Sequence, residues 1–269
     1  MKEALHAAIK FLLLNYLPGP VLRELKKLHY ARKLKTYPLD RERDMLVLRH
    51  IISPGDFVVD IGANVGLYTK ALSELVGEHG IVYSIEPVPE TYAFLVSNVR
   101  KLGLGNVVSI NSAVSGTSGT VTMFVPRHLG GADNYYRAHI TRGGEREGLS
   151  LQVDARTMDA LFQSELGRFS FVKCDVEGHE LECIHGARGF LARSNACWLI
   201  EVTVDPDTPQ SRTRGLFHEL SSHGYTPWWF DGKRLHERKA GDVCMNYFFL
   251  KPRHIEAIVR RNGDLLCRA

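Results

Sequence analysis

Asp60-Ile61-Gly62-Ala63-Asn64-Val65-Gly66 follows the apolar run Phe57-Val58-Val59 and leads into Val65 to Val76, where apolar residues recur at helical spacing. A short buried strand that ends in glycine and opens a helix is the start of a doubly wound α/β sheet. Gly62 permits the tight turn, and the small residues around it let a ligand approach the backbone closely. The N–H groups at the start of the helix add donors that favour negative charge.

The chain keeps this rhythm further on. Ile81 to Ile85 reads as a second strand, Thr91 to Leu102 as a helix stopped by Gly103, and Val107 to Ile110 as a third strand. Phe169 to Cys174 and Trp198 to Ile200 continue the series. Strand–helix–strand units of this length give a parallel sheet with helices on both faces. Tyr225 to Phe230, the Asp231-Gly232 turn and Cys244 to Leu250 read as an antiparallel pair at the sheet edge. Ile255 to Leu266 reads as a last short helix. Pro126 to Gly148, with Gly130-Gly131, Gly143-Gly144 and Tyr135-Tyr136, breaks the pattern and reads as a long loop over the mouth of the site or a disordered insertion. The chain divides into an N-terminal basic helical extension (1–50), the α/β domain (51–252) and a C-terminal helix or tail (253–269).

The 269 residues are 44% hydrophobic and 24% charged, which excludes a disordered, collagenous or coiled-coil chain. A net charge of +4 is too weak to imply a nucleic-acid partner. Cys174, Cys183, Cys197, Cys244 and Cys267 are odd in number and contain no C-x-x-C, which fits free thiols in a reducing, cytoplasmic compartment. The longest apolar stretch, Ala7 to Leu17, is interrupted by Lys10 and falls short of the roughly 20 residues that span a bilayer. It also makes a poor signal peptide. Lys2, Lys10, Arg23, Lys26, Lys27, Arg32, Lys33 and Lys35 against Glu3 and Glu24 leave residues 1–37 at about +6 and the remainder at about −2. Pro18-Gly19-Pro20 separates two helical patterns in this segment, Leu5 to Leu13 and Val21 to Leu28. Such a basic hairpin caps a core, forms a dimer contact or lies peripherally on the inner face of an anionic membrane. The sequence sets no oligomeric state.

Four motifs carry chemistry. The glycines of the first are spaced G-x-x-x-G, not the G-x-G-x-x-G of dinucleotide sites. Asp60, two residues before Gly62, would repel a pyrophosphate and suits a cationic or zwitterionic ligand such as the amino-acid part of S-adenosylmethionine. The second is Glu86 in Ser84-Ile85-Glu86-Pro87, about 20 residues beyond Gly66, where an acid accepts hydrogen bonds from ribose hydroxyls. The third is Lys173-Cys174-Asp175-Val176-Glu177-Gly178-His179-Glu180, three carboxylates and a histidine at a strand's C-terminal end, where doubly wound folds bind ligands. Glu180 is equally read as a first-turn helix acid. The fourth is Glu201, ending Trp198-Leu199-Ile200, a site or a structural carboxylate.

DIGANVGLYT, SIEP, NSAVS, FVKCDVEGHE and WLIEV, in this order over roughly residues 54 to 250, resemble the FkbM family of S-adenosylmethionine-dependent methyltransferases. The resemblance implies a class I methyltransferase: a Rossmann-like, doubly wound, seven-stranded sheet with six strands parallel and one reversed. It implies methyl transfer to a hydroxyl oxygen, commonly on a sugar, glycolipid or polyketide. It carries the cofactor loop onto Asp60, Gly62, Ala63, Asn64 and Gly66, the ribose acid onto Glu86 beside Pro87, and the adenine-flanking segment onto Asn111, Ser112 and Ala113. It carries the DVEGxE signature onto Asp175, Glu177 and Glu180.

A sugar hydroxyl is a weak nucleophile and gains from a general base. Asp175, Glu177 and His179 are the catalytic candidates, with Glu177 or His179 receiving the proton and Asp175 orienting cofactor or acceptor. In a metal-assisted variant Asp175 and Glu201, on what should be adjacent strands, hold Mg²⁺ with waters. The acceptor is thus expected to be a small molecule, glycan or glycolipid. A natural product, a protein or RNA remains as an alternative acceptor, and a non-catalytic cofactor-binding protein as an alternative role. Nucleic acid is disfavoured because the basic cluster lacks a stacking platform.

Overall fold

The computed structural model describes residues 18–38, 41–126, 138–141, 143, 147–165 and 167–267. Along the chain come helices α1 (Gly19–Thr36) and α2 (Met45–Ile51), strand β1 (Phe57–Ile61), helix α3 (Leu67–Val76), strand β2 (Ile81–Ile85), helix α4 (Pro89–Leu102) and strand β3 (Val107–Ile110). Strands β4 (Ala113–Val114), β5 (Gly119–Pro126), β6 (His139–Ile140) and β7 (Gly148–Arg156) follow. Then come α5 (Met158–Leu161), β8 (Phe169–Cys174), α6 (Glu180–His185), α7 (Arg188–Arg193), β9 (Cys197–Glu201) and α8 (Arg212–Ser222). Strands β10 (Thr226–Phe230), β11 (Leu235–Glu237) and β12 (Asn246–Leu250) and helix α9 (Pro252–Asn262) complete the order, before a 3₁₀ turn at Gly263–Leu265.

The main sheet runs β3-β2-β1-β8-β9-β12-β10-β11. Neighbours from β3 to β9 are parallel, while β12 is antiparallel to both β9 and β10. Six strands therefore point one way and β12 is reversed, as expected, and β11 adds an eighth, reversed edge strand. The Asp231-Gly232 turn joins β10 to β11, not to β12, which inserts between β9 and β10. Three residues are too short to show an alternation in sequence; Leu235 is buried, and His236 stacks on Trp229 at 4.7 Å.

Both faces of this sheet are buried, which is why its strands read as largely apolar runs. Phe57, Val59 and Ile61 enter one core with Trp198, Ile200, Tyr247, Phe249 and helix residues Ile184, Phe190 and Leu216. Val58, Leu199 and Phe248 enter the opposite core with Leu48, Leu72 and Ile258. The C-terminal helix thus contributes to the second core.

The expectation for Pro126 to Gly148 needs correction at its flanks. Residues 127–137 lie outside the described residues, but β5, β6 and β7 form, with β4, a second sheet in the order β4-β7-β5-β6. Its Met123, Val153 and Ala155 pack with Ala113 and Val88, just beyond the end of β2. Leu149, Leu151, Val153 and Ala155 alternate with polar residues, a strand signal that the glycine-rich stretch before them obscures.

The first N-terminal helical pattern lies outside the described residues. The second is α1, which packs on α4 through Tyr30 and Phe94 (ring centroids 5.3 Å) and an Arg23–Glu90 ion pair of 3.0 Å. Ala31 and Leu34 are buried, while Val21, Leu25 and Leu28 are exposed on the other side of the helix. No helix among the described residues is long and apolar enough to cross a membrane.

Candidate functional site

The glycine loop is held from beneath. The N–H groups of Gly62 and Ala63 both donate to the carbonyl of Ile85 at 3.0 Å, and Asn98 Nδ2 donates to the carbonyl of Val65 at 2.8 Å. Gly62 has φ +77°, and a Cβ there would lie 1.8 Å from the carbonyl oxygen of Asp175. Glycine is thus required for two strand ends to approach this closely. Gly66 also has a positive φ, +97°. Asp60 is fully buried and accepts from Thr69 Oγ1 at 2.6 Å; Thr69 in turn meets Ser84 Oγ at 2.9 Å. Burial pushes the Asp60 carboxyl upward, opposed by the Thr69 hydrogen bond and the charge of Lys173.

Two cavities meet over this loop, sharing Gly62, Asn64 and Asp175. The first, of about 100 Å³, is lined on its apolar sides by Ile85, Val114, Met123, Ala138, Ile140 and Val176, and also by Glu86, Pro87, Ser112 and Ala113. Glu86 is 6% exposed. Its Oε2 accepts from the N–H of Asn64 and its Oε1 from the N–H of Val88, each at 3.0 Å. Burial raises its pKa to about 7 against those two hydrogen bonds. Asn111 secures this turn, donating to the carbonyls of Glu86 (2.8 Å) and Pro87 (3.0 Å). The Ser112 hydroxyl is shared between the carbonyls of Ala113 and Asp154.

The loop after β8 stands opposite. The N–H of Asp175 donates to Ile61, Glu177 has φ +53°, and Gly178 has φ +93°. Glu180 is a buried clamp for this strained turn: its Oε1 accepts from the N–H of Gly178 at 2.8 Å and of Val176 at 3.3 Å. His179 Nε2 lies 3.0 Å from Ser115 Oγ, and its Nδ1 3.5 Å from Glu182, which also pairs with Arg212. Glu177 and His179 line the first cavity.

The second cavity, about 330 Å³, lies on the other side of the loop. Tyr30, Lys33, Leu34 and Tyr37 of the α1 region wall it, with Glu42, Asp60, Tyr68, Lys173, Asp175, Glu201 and Asn246. Lys173 is 3% exposed, pairs with Asp175 Oδ2 at 2.9 Å, and lies 4.6 Å from the centroid of the Tyr68 ring. Burial pulls its pKa down, but Asp175, Asp60 and Glu201 more than offset this, and the net direction is up. Sequence reasoning passed over this cation. The signal was a lysine inside the apolar strand FVKC, a position that needs a charge partner. The α1 tyrosines carried no signal, since only the packing of α1 on α4 brings them to the site.

All of the residues expected to bind cofactor line one or other cavity except Gly66, which sits at the N-terminus of α3, and Asn111, which braces the Glu86-Pro87 turn from outside the cavity. The Mg²⁺ expectation at Asp175 and Glu201 is not supported: the cation on Asp175 is the Lys173 ammonium, and no cluster of three or more His, Cys, Asp or Glu suited to a metal occurs among the described residues. The site does suit an adenosyl amino acid. The buried Oδ1 of Asn64, where the two cavities join, has no hydrogen-bond partner, and a Cβ on Gly62 would fill the cradle between them.

The strand order and the glycine loop with its acid after β2 define a class I methyltransferase fold. The Methyltransferase FkbM domain matches residues 60–227, more than half of the chain, and the chain belongs to this family of S-adenosylmethionine-dependent methyltransferases. It is 30% identical over 153 residues to the hexuronic acid methyltransferase AglP of Haloferax volcanii, covering 56% of this chain and 58% of that protein. It is 39% identical over 57 residues to a protein-L-isoaspartate O-methyltransferase of Aeropyrum pernix, covering 21% and 22%. The chain thus matches less than two-thirds of the length of either curated relative. Among solved structures, the FkbM methyltransferase of Methylobacillus flagellatus shares 16% identity over 72% of this chain and 43% of that one, with a TM-score of 0.45. Aeropyrum pernix fibrillarin with bound S-adenosyl-L-methionine shares 13% identity over 74% and 67%, with a TM-score of 0.45.

Proposed function

We propose that this protein is an O-methyltransferase that moves the methyl group of S-adenosylmethionine onto a sugar hydroxyl of a glycan or glycolipid. The observation that carries the reading is the second cavity. It sets Tyr30, Tyr37 and Tyr68 around the same space as Glu42, Asp175, Glu201 and Asn246. Aromatic faces pack against the C–H face of a pyranose, while carboxylates and an amide bond its hydroxyls. The name of the Haloferax volcanii relative, a hexuronic acid methyltransferase, agrees with a sugar acceptor.

In this reading the first cavity takes the nucleoside. Apolar Ile85, Met123 and Ile140 flank the base, and Glu86 accepts from the ribose hydroxyls. Asn64 Oδ1 accepts from the methionine ammonium, and Asp60 adds negative charge below the loop. The bound cofactor supplies an activated methyl on a sulfonium. The protein's task is alignment, and a fixed geometry supplies several kcal/mol of such a barrier. Asp175, common to both cavities, orients the acceptor oxygen.

The test is S-adenosylhomocysteine release from purified protein given S-adenosylmethionine and a panel of neutral sugars, uronic acids, glycolipids, phenolic natural products and isoaspartyl peptides. Turnover with a sugar-bearing acceptor, and methyl found on oxygen by mass spectrometry, is expected. Turnover confined to the non-sugar acceptors would overturn the reading.

A further inference from the structure

The structure separates the acids that the DVEGHE motif brings together in sequence. Glu177 and His179 face the first cavity, and the His179 ring is engaged by Ser115 and Glu182. Glu201 lines the second, and Asp175 stands between, lining both. The β8–β9 register pairs Cys174 with Ile200, so the next residues, Asp175 and Glu201, stand side by side at the strand ends and line the same cavity. Lys173, bound to Asp175 Oδ2, fixes one member of the pair from below.

Resting on the reading of this site as an oxygen-methylating one, we propose that Glu201 is the general base, taking the acceptor's proton, with Lys173 as a positioning residue acting through Asp175. An oxygen lone pair of the acceptor forms the new bond to the methyl carbon, and the carbon–sulfur bond breaks with its electron pair passing to sulfur. The acceptor's proton goes to the Glu201 carboxylate and from there to water. Reactants carry one positive charge on sulfur and one negative on Glu201; products carry neither.

The surroundings suit this role. Asp175 and Glu177 disfavour ionisation of Glu201, and Lys173 favours it. Asp60, Tyr68 and Asp44 lie around Lys173, and Glu42 and Lys33 line the same cavity. Burial first, then the charge of Asp175, brings the Glu201 carboxyl to about 7, close to the pH at which a base must work.

Two readouts test the proposal. Without any acceptor, carboxyl-labelled glutamate NMR of the wild type should show, beside the resonance of Glu86, a second one titrating near neutral pH that is missing in Glu201→Gln and kept in Glu86→Gln. Its absence from the wild type overturns the proposal, whatever the acceptor class. With whichever hydroxyl acceptor turns over, sugar or not, Glu201→Gln should lower kcat by about 10²–10⁴. It should also lose the rising limb of the kcat–pH profile while binding S-adenosylhomocysteine within twofold of wild type. The limb should persist in Glu177→Gln, whatever that change does to the rate. A Glu201→Gln enzyme within threefold of wild-type kcat, or a limb lost in Glu177→Gln instead, overturns it.

Discussion

The backbone N–H of Asn64 donates to Oε2 of Glu86 at 3.0 Å, so the glycine loop after β1 and the acid after β2 form one unit. Asn64 has φ +50°, a conformation uncommon outside glycine, and this hydrogen bond helps hold it. The acid proposed for the ribose thereby also shapes the turn proposed for the amino acid.

Cofactor affinity should depend on pH through this residue. Burial holds the Glu86 carboxyl near 7, so in the free protein it is largely protonated below that value. Ribose hydroxyls donating to the carboxylate favour its ionised form, so binding lowers its pKa and releases a proton. Affinity for S-adenosylhomocysteine should therefore rise from pH 5.5 to about 7 and then level off. Calorimetry at several pH values checks this; flat or falling affinity would contradict it, and Glu86→Gln should abolish the slope.

Gly62→Ala should be far more damaging than Gly66→Ala. At Gly62 the added Cβ meets fixed backbone, the Asp175 carbonyl, at 1.8 Å. At Gly66 it meets the movable Leu95 Cδ1 at 2.9 Å, leaving mainly the strain of a positive φ, about 1–2 kcal/mol. Gly62→Ala should lose several kcal/mol of stability or all cofactor binding, read by denaturant melts and calorimetry. Equal effects at the two positions would refute the close approach of β1 and β8.

Tyr37 should affect the acceptor but not the cofactor. Its hydroxyl donates to Glu42 Oε1 at 2.6 Å on the wall of the second cavity. Tyr37→Ala should raise the acceptor KM by about tenfold, an amount within reach of one packing and hydrogen-bond loss of about 1.4 kcal/mol. Affinity for S-adenosylhomocysteine should stay within twofold. A change in cofactor affinity alone would place the acceptor elsewhere.

Helix α1 offers Val21, Leu25 and Leu28 to solvent beside Arg32 and Lys35. A glycolipid acceptor would place this face at a membrane surface, where apolar side chains and cations both bind anionic lipid. The full chain should pellet with phosphatidylserine vesicles, and Leu25→Asp with Leu28→Asp should weaken this. Equal pelleting of wild type and variant would remove the face from membrane contact.

Much of this architecture was legible because both faces of the main sheet are buried. Phe57–Ile61, Ile81–Ile85 and Phe169–Cys174 are apolar runs broken only by Asp60, Ser84, Ser170 and Lys173, and each ends just before a residue expected to carry chemistry. The second sheet was missed because β5 and β7 pair across a glycine-rich insertion that carries no strand signal of its own. The first cavity was legible, since Gly62, Glu86 and Asp175 follow their strands directly. The second was legible only where Asp175 and Glu201 end adjacent strands: Tyr30, Tyr37 and Asn246 join them only through α1 packing and the insertion of β12 beside β9. Asn246 stands opposite Glu201 in that register, and no spacing along the chain announces it.

The central claim is a site built for an adenosyl amino acid around Glu86 and Asn64. Calorimetric titration with S-adenosylhomocysteine, beside NADH and a Glu86→Ala variant, tests it most directly. The account predicts micromolar binding of S-adenosylhomocysteine, about 10²-fold weaker in Glu86→Ala for the loss of two hydrogen bonds to a charged group, and no binding of NADH. Folded protein that takes up NADH but not S-adenosylhomocysteine, or a Glu86→Ala variant that binds the adenosyl ligand as tightly as wild type, would contradict it.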